Sequence, residues 1–321
     1  MLFPKNWAVL ILAGLISPVI TTTTTLYMSP SGSDSNSGSS VSAALKTLKG
    51  VQARLVATKP TDAIDVVIAE GTYLSQSVIW TYFTGQPITF SPPASGSTKP
   101  VFDGQGEGLT WFTMSDSSVV TNLRFVGLAV TNYWLALDLG RDKEQGNSGN
   151  VVRDMLFERI GAMYTHNLPD PKGYAALRMR RSRNNTVTGN RFHGVKNGEE
   201  FTGYIHAIYL AHESTFNEIS GNEFNQVTGD AVRTRDGSGD NLIRGNMFIK
   251  AGKYSAYSDW IDDEGEECPS RGNRFVDNTV GEGYFGGFEM GFVTHVYGPD
   301  GRCADQGDER ERILESGTVL I

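Results

Sequence analysis

Three segments of the chain share one pattern: Ala176-Leu177-Arg178-Met179-Arg180, Ala207-Ile208-Tyr209-Leu210-Ala211 and Ala231-Val232-Arg233-Thr234-Arg235. On an extended strand, successive side chains point to opposite faces. That sends Leu177, Met179, Ile208, Leu210, Val232 and Thr234 inward. It sends Arg178, Arg180, Tyr209, Arg233 and Arg235 outward. Four guanidinium groups around one phenol make a basic groove on a chain whose net charge is -8. Guanidinium forks match the geometry of carboxylate or sulfate. An uncompensated cluster of this kind calls for an anion. The competing expectation is structural: each arginine pairs with Glu199, Glu200, Glu213 or Asp236 from a neighbouring loop.

His206, His212, Asp230 and Asp236 flank these segments. The next turn carries Asp259-Trp260-Ile261-Asp262-Asp263-Glu264, with Glu266 and Glu267 beyond. Asp259, Asp262 and Asp263 are candidate calcium ligands, because that ion takes several oxygens. The competing expectation is a solvated acidic run. The two histidines lack a third partner at zinc-ligand spacing, so zinc is not expected. No cofactor other than calcium is suggested.

Three adjacent segments can form one groove only if the chain coils. Four phrases indicate that it does: Thr188-Gly189-Asn190-Arg191-Phe192, Ser220-Gly221-Asn222-Glu223-Phe224, Arg244-Gly245-Asn246-Met247-Phe248 and Arg271-Gly272-Asn273-Arg274-Phe275. Phenylalanine to phenylalanine, the steps are 32, 24 and 27 residues. Val187, Ile219 and Ile243 precede the first three phenylalanines by five positions, and Ser270 breaks the pattern in the fourth. Looser copies end at Phe125 and Phe157. Repeats of this length mean a solenoid, propeller or array. Short β-branched units rich in Gly and Asn predict an all-β chain, a right-handed parallel β-helix. Like residues would stack inside it, and Asn190, Asn222, Asn246 and Asn273 would form a ladder at one corner.

The totals agree. The 321 residues are 39% hydrophobic and 20% charged, with 37 glycines for tight corners. The acidic balance argues against nucleic acid as a partner. Residues 1–25 read as a secretory leader: Lys5 precedes the apolar run Trp7 to Ile16, too short to span a bilayer. Secretion, and no membrane association once the leader is removed, follow from that reading. The two cysteines, Cys268 and Cys303, could close one bridge in an oxidising compartment. Residues 26–61 carry a first strand, a Ser/Gly/Asp loop and a short helix marked by Ala44, Leu45, Leu48, Val51, Leu55 and Val56. That helix would cap the open end of the tube. The β-helix body is expected over 62–300 and a tail or cap over 301–321. With both ends capped, a monomer is expected.

The opening Tyr27-Met28-Ser29-Pro30-Ser31-Gly32-Ser33-Asp34-Ser35-Asn36-Ser37-Gly38, the capping helix, Val66-Val67-Ile68-Ala69-Glu70-Gly71-Thr72-Tyr73 and Val101-Phe102-Asp103-Gly104 resemble secreted right-handed β-helix proteins of the pectate-lyase-like superfamily. The resemblance spans roughly residues 26–280. It implies the fold and a polysaccharide lyase or glycoside hydrolase. The G-D-D, G-H-G and R-I-K signatures of polygalacturonase hydrolases, and the D-P-H of alginate epimerases, are missing. A lyase acting on an acidic, uronate-containing polysaccharide must neutralise the substrate carboxylate so that the C5 proton becomes acidic. Arg233 and Arg235 are the candidate clamps, with Tyr209 or His206 as proton carrier and Arg178, Arg180, Asp230 and Trp260 as substrate contacts. A hydrolase would instead need two carboxylates about 5–9.5 Å apart. Asp236 with Asp262, or Asp230 with Asp259, are the candidate pairs. A third expectation is a glycan-binding protein with no catalysis.

Overall fold

The structure, a computed structural model, describes residues 23–96, 98–140, 145–261, 267–296 and 311–321. Its strands build three long sheets of 10, 9 and 8 strands, called sheets I, II and III below. Neighbouring strands within each sheet run parallel. One coil visits the sheets in turn: Thr186–Thr188 in sheet I, Arg191–Val195 in sheet II and His206–Ala211 in sheet III. The next repeats the circuit with Glu218–Ser220, Glu223–Val227 and Val232–Arg235. The chain is a right-handed parallel β-helix, as its repeats predict.

Phe157, Phe192, Phe224 and Phe248 form a single interior column, with ring centroids 4.8, 5.2 and 4.8 Å apart. Their strands are in register, and all four rings are fully buried. Val187, Ile219 and Ile243 line the adjoining wall on sheet I. Gly221 and Gly245 take the corner at φ 62° and 59°. A methyl group there would meet no atom within 4 Å, so left-handed backbone rather than lack of space favours glycine. The next residue turns its amide inward: the main-chain N–H of Asn190 donates to Asn222 Oδ1 at 2.9 Å, and that of Asn222 to Asn246 Oδ1 at 2.9 Å.

The fourth phrase does not continue this ladder. Asn246 donates to Asn278 Oδ1 at 2.9 Å, and Val280 takes the position after Phe248. Asn273 belongs to a second ladder, below Asn185, Asn217 and Asn241 and one corner earlier in the coil. Phe275 accordingly pairs with Ile243 on sheet I. Phe125 likewise lies on sheet I, stacked on Phe90 at 5.3 Å, whereas Phe157 is in phase. A three-sided coil has similar corners, and a Gly-Asn phrase does not by itself say which one it occupies.

Both ends depart from the expected boundaries. The first strand, Thr23–Met28, pairs with Ala63–Ile68 and so begins inside the segment read as a leader. The rest of that segment, 1–22, lies outside the described residues. The helix α1, Leu48–Thr58, buries Leu48, Val51 and Leu55, while Val56 is exposed and Ala44 and Leu45 precede it. Thr47 caps its N-terminus, and Asp34 of the Ser/Gly loop accepts from the N–H groups of Lys46 and Thr47. At the other end, Ile313–Ser316 and Val319–Leu320 extend sheets I and II. Within the segment expected as a tail or cap, residues 311–321 thus continue the coil. Cys268 is disulfide-bonded; Cys303 lies outside the described residues.

Candidate functional site

The outer face of sheet III carries the groove. Leu177, Met179, Ile208, Leu210, Val232 and Thr234 all face the core with no exposure. Between them Asp138, Arg178, Tyr209, Arg233 and Ser258 share one row across five coils. A second outward row places Arg180 beside Ala211, and Arg235 beside Trp260. The strand alternation thus brings together all five predicted groove residues.

The arginines are not uncompensated, and their partners are not those expected. Arg178 and Arg180 both donate to Asp138, at 2.8 and 3.1 Å. Arg233 donates to Asp230 at 2.7 Å and to Ser258 at 3.2 Å. Arg235 grips Glu267 through Nε at 2.6 and 2.7 Å. Asp138 could be found by extending the alternation to Leu135-Ala136-Leu137-Asp138-Leu139, which sets it beside Arg178. Glu267 and Ser258 carry no such signal.

Tyr209 lies half-buried between Arg178 and Arg233 in this row. Burial raises its pKa; the positive charges of Arg235 and Arg233, and a hydrogen bond from Arg235, pull it back. Burial and nearby arginines push the pKa of His206 down, so the ring is neutral. His206 is only 2% exposed, and its Nδ1 lies 2.8 Å from the Asp230 carbonyl. That carbonyl can only accept, which places the ring proton on Nδ1. His206 is a support beneath the groove rather than a group at its surface.

Asp230 also changes role. It has no exposure, and its carboxylate accepts from Arg233, Ser258 and the N–H groups of Tyr254 and Ser255. It therefore offers nothing to a substrate. Asp259 points into the tube, where its Oδ1 accepts from Thr234 at 2.7 Å. Burial pushes its pKa up to about 7, against hydrogen bonding from Ser270 and Thr234. An inward Asp259 cannot join a surface calcium site, nor pair with Asp230 across a sugar on the outer wall. Asp262 and Asp263 lie outside the described residues. Among the described residues, no three His, Cys, Asp or Glu side chains are placed to hold a metal ion. Asp236 stands at the corner after its strand, 3.0 Å from His212 Nδ1, and accepts from the N–H of Cys268 at 3.2 Å.

Beside Arg233 and Arg235 opens a cleft of about 280 Å3, walled by Tyr204, Tyr254, Trp260 and Val296. Arg233 lies over the Trp260 ring, 4.1 Å from its centroid. Trp260 is thus partly occupied in holding an arginine, and exposed Tyr204 is the more open aromatic surface. Tyr204 ends the short 3-10 helix Glu199–Tyr204 and Tyr254 lies in a loop, and no repeat reveals either.

Together the coils define a parallel β-helix with a groove on the outer face of sheet III. Among solved structures the chain is similar to the pectate lyase Pel9A, with a TM-score of 0.56 and 14% identity over 88% of this chain and 78% of that one. It is also similar to an alginate lyase from Paenibacillus sp., with a TM-score of 0.53 and 14% identity over 92% of this chain and 99% of that one. At such identity the likeness is one of fold. No family model and no curated protein sequence matches the chain.

Proposed function

We propose that the protein is a secreted carbohydrate-active enzyme, a lyase that cleaves a uronate-containing polysaccharide by β-elimination. The observation that carries this reading is the outward row in which Tyr209 stands between Arg178 and Arg233, with its hydroxyl bonded by Arg235. The names of the two similar structures, a pectate lyase and an alginate lyase, support the same class. Arg233 neutralises the uronate carboxylate, so charge that develops on it as the C5 proton leaves meets a fixed cation. Tyr209 takes the C5 proton in its phenolate form, which burial disfavours and the charges of Arg235 and Arg233 only partly restore, so the step favours alkaline pH. The electron pair forms the C4–C5 double bond, and the C4–O4 bond breaks. The Tyr209 phenol then returns its proton to the departing O4. One product ends in an unsaturated uronide and the other gains a free 4-hydroxyl.

The test is incubation of the purified protein with pectate, alginate and glucuronan while following the ultraviolet absorbance of the conjugated product. A rise with any of them supports the lyase. New reducing ends without that absorbance would replace it with a hydrolase. Binding with neither signal would leave a glycan-binding protein.

A further inference from the structure

The corner between sheets III and I carries a second cavity, apart from the cleft at Arg233. Its volume is about 270 Å3, and Ser117, Gln145, Asn147, Ser148, Arg181 and Arg183 line it. Three successive coils contribute. They meet where Asn147–Ser148 pairs with Ser182–Arg183 in a small two-stranded sheet. Two guanidinium groups, a hydroxyl pair and two carboxamides suit a hydroxyl-rich ligand that carries an oxyanion.

The two arginines are held but poorly satisfied. Arg181 takes φ 48°, with its N–H bound to the carbonyls of Ala211 and His212 at 3.3 and 3.2 Å. Its Nη1 reaches Glu213 at a long 3.4 Å, and Arg183 reaches the same carboxylate oxygen only at 3.8 Å. Arg181 Nε is buried with no acceptor. A buried guanidinium donor without a partner is unfavourable. Arg181 itself, with its side chain 33% exposed, lines the cavity. The pairing in the groove, two arginines on Asp138 at 2.8 and 3.1 Å, shows how much closer the chain brings such groups elsewhere.

We propose that this cavity is a separate binding site for an acidic sugar residue, one bearing a carboxylate or a sulfate ester. Arg181 and Arg183 take the oxyanion, while Ser117, Ser148 and Gln145 meet ring hydroxyls. The site lies on coils that precede that of Tyr209, whereas the cleft lies on coils that follow it. With rungs about 4.8 Å apart, the two are separated by roughly 15–20 Å along the axis. A polymer spanning both must be several sugars long. Binding across both rests on the lyase reading above, but the site itself does not.

Calorimetric titration with saturated hexasaccharides tests it: galacturonate, guluronate, a sulfated glycosaminoglycan fragment and neutral xylohexaose. One or more acidic hexasaccharides should bind, and the double variant Arg181→Gln, Arg183→Gln should weaken that binding about tenfold or more. Trisaccharides, too short to span both sites, should lose less. Unchanged affinity in a variant with unchanged Tm would overturn the proposal, as would loss of neutral and acidic binding alike. Should the double variant not fold, Ser118→Trp, which adds bulk beside the cavity from an exposed position, must give the same loss. Sulfated fragments bound in preference to uronates would keep the site and remove uronate as its ligand. Arginine-dependent binding without any eliminase activity would keep the site and overturn the lyase.

Discussion

Tyr209 and Arg233 divide the proposed chemistry between a proton and a charge, and each can be removed while the other stays. Tyr209→Phe deletes one hydroxyl from a half-buried ring, and the elimination rate should fall about 10²–10⁴-fold with the melting temperature nearly unchanged. Initial rates on the best polymer, beside a melting curve, check this; a rate within threefold of the parent would remove Tyr209 from the chemistry. Arg233→Lys keeps a cation near Asp230 but loses the planar fork. It should raise KM and lower kcat together, since carboxylate binding and transition-state charge both depend on it. Asp230 acts one layer deeper. Replacing it with alanine strands Arg233, Ser258 and two main-chain N–H groups around a hole, so Asp230→Ala should cost about 3–5 kcal/mol in denaturant unfolding. Asp230→Asn, which retains an acceptor, should cost less. A sequence shows that an aspartate lies three residues before an arginine; that it is fully enclosed depends on Tyr254, Ser255 and Ser258 from the next coil.

At the scale of elements, the sheets explain what could be read early and what could not. Alternation within a strand is local, so the inward and outward faces of the three groove segments follow from residue order alone. Phase between strands is not local. Gly272-Asn273 repeats Gly245-Asn246 in letters but occupies a different corner, the one between sheets III and I that Asn241 holds one coil earlier. The corner ladder then predicts stability better than the phrase does. Asn222 donates to Val187 and Asn246 and receives the N–H and side-chain amide of Asn190. Asn222→Ala leaves several of these buried groups unmatched and should cost about 3 kcal/mol. Gly221→Ala, two atoms away in open space, faces only its φ of 62° and should cost about 1 kcal/mol. Chemical denaturation of both variants checks the order; equal losses would mean that the amide ladder contributes little. Arginine partners were the least readable part, because Asp138 and Glu267 lie 40 and 32 residues away along the chain.

For the whole molecule, a solenoid couples each coil mainly to its neighbours, so a defect is felt where it sits. Asp259 is such a defect, a carboxylic acid with no exposure inside the tube. In register with it, Thr234 lies on one side and His295 on the other. Its pKa rises from the ordinary 3.8 to about 7 because burial disfavours the charge. The folded state therefore holds a proton that the unfolded chain releases between those values. Stability from this group is complete below about pH 4, falls as pH rises toward 7, and is flat beyond. Three pKa units correspond to about 4 kcal/mol, an upper figure for the loss. Asp259→Asn cannot ionise, so its stability should change less between pH 5 and 8, and it should exceed the parent at pH 8. Because coupling is short-ranged, the parent's loss should appear first near its C-terminal coils. Hydrogen exchange at pH 8 should quicken in Tyr257–Trp260 and Val293–Val296 before it does in Arg191–Val195. Those coils also wall the cleft through Trp260 and Val296. Ligand binding there should therefore weaken from pH 5 to 8 in the parent more than in Asp259→Asn. Exchange that quickens evenly along the chain, or a variant with the parent's full pH dependence, would mean that the buried carboxyl does not govern this end of the molecule.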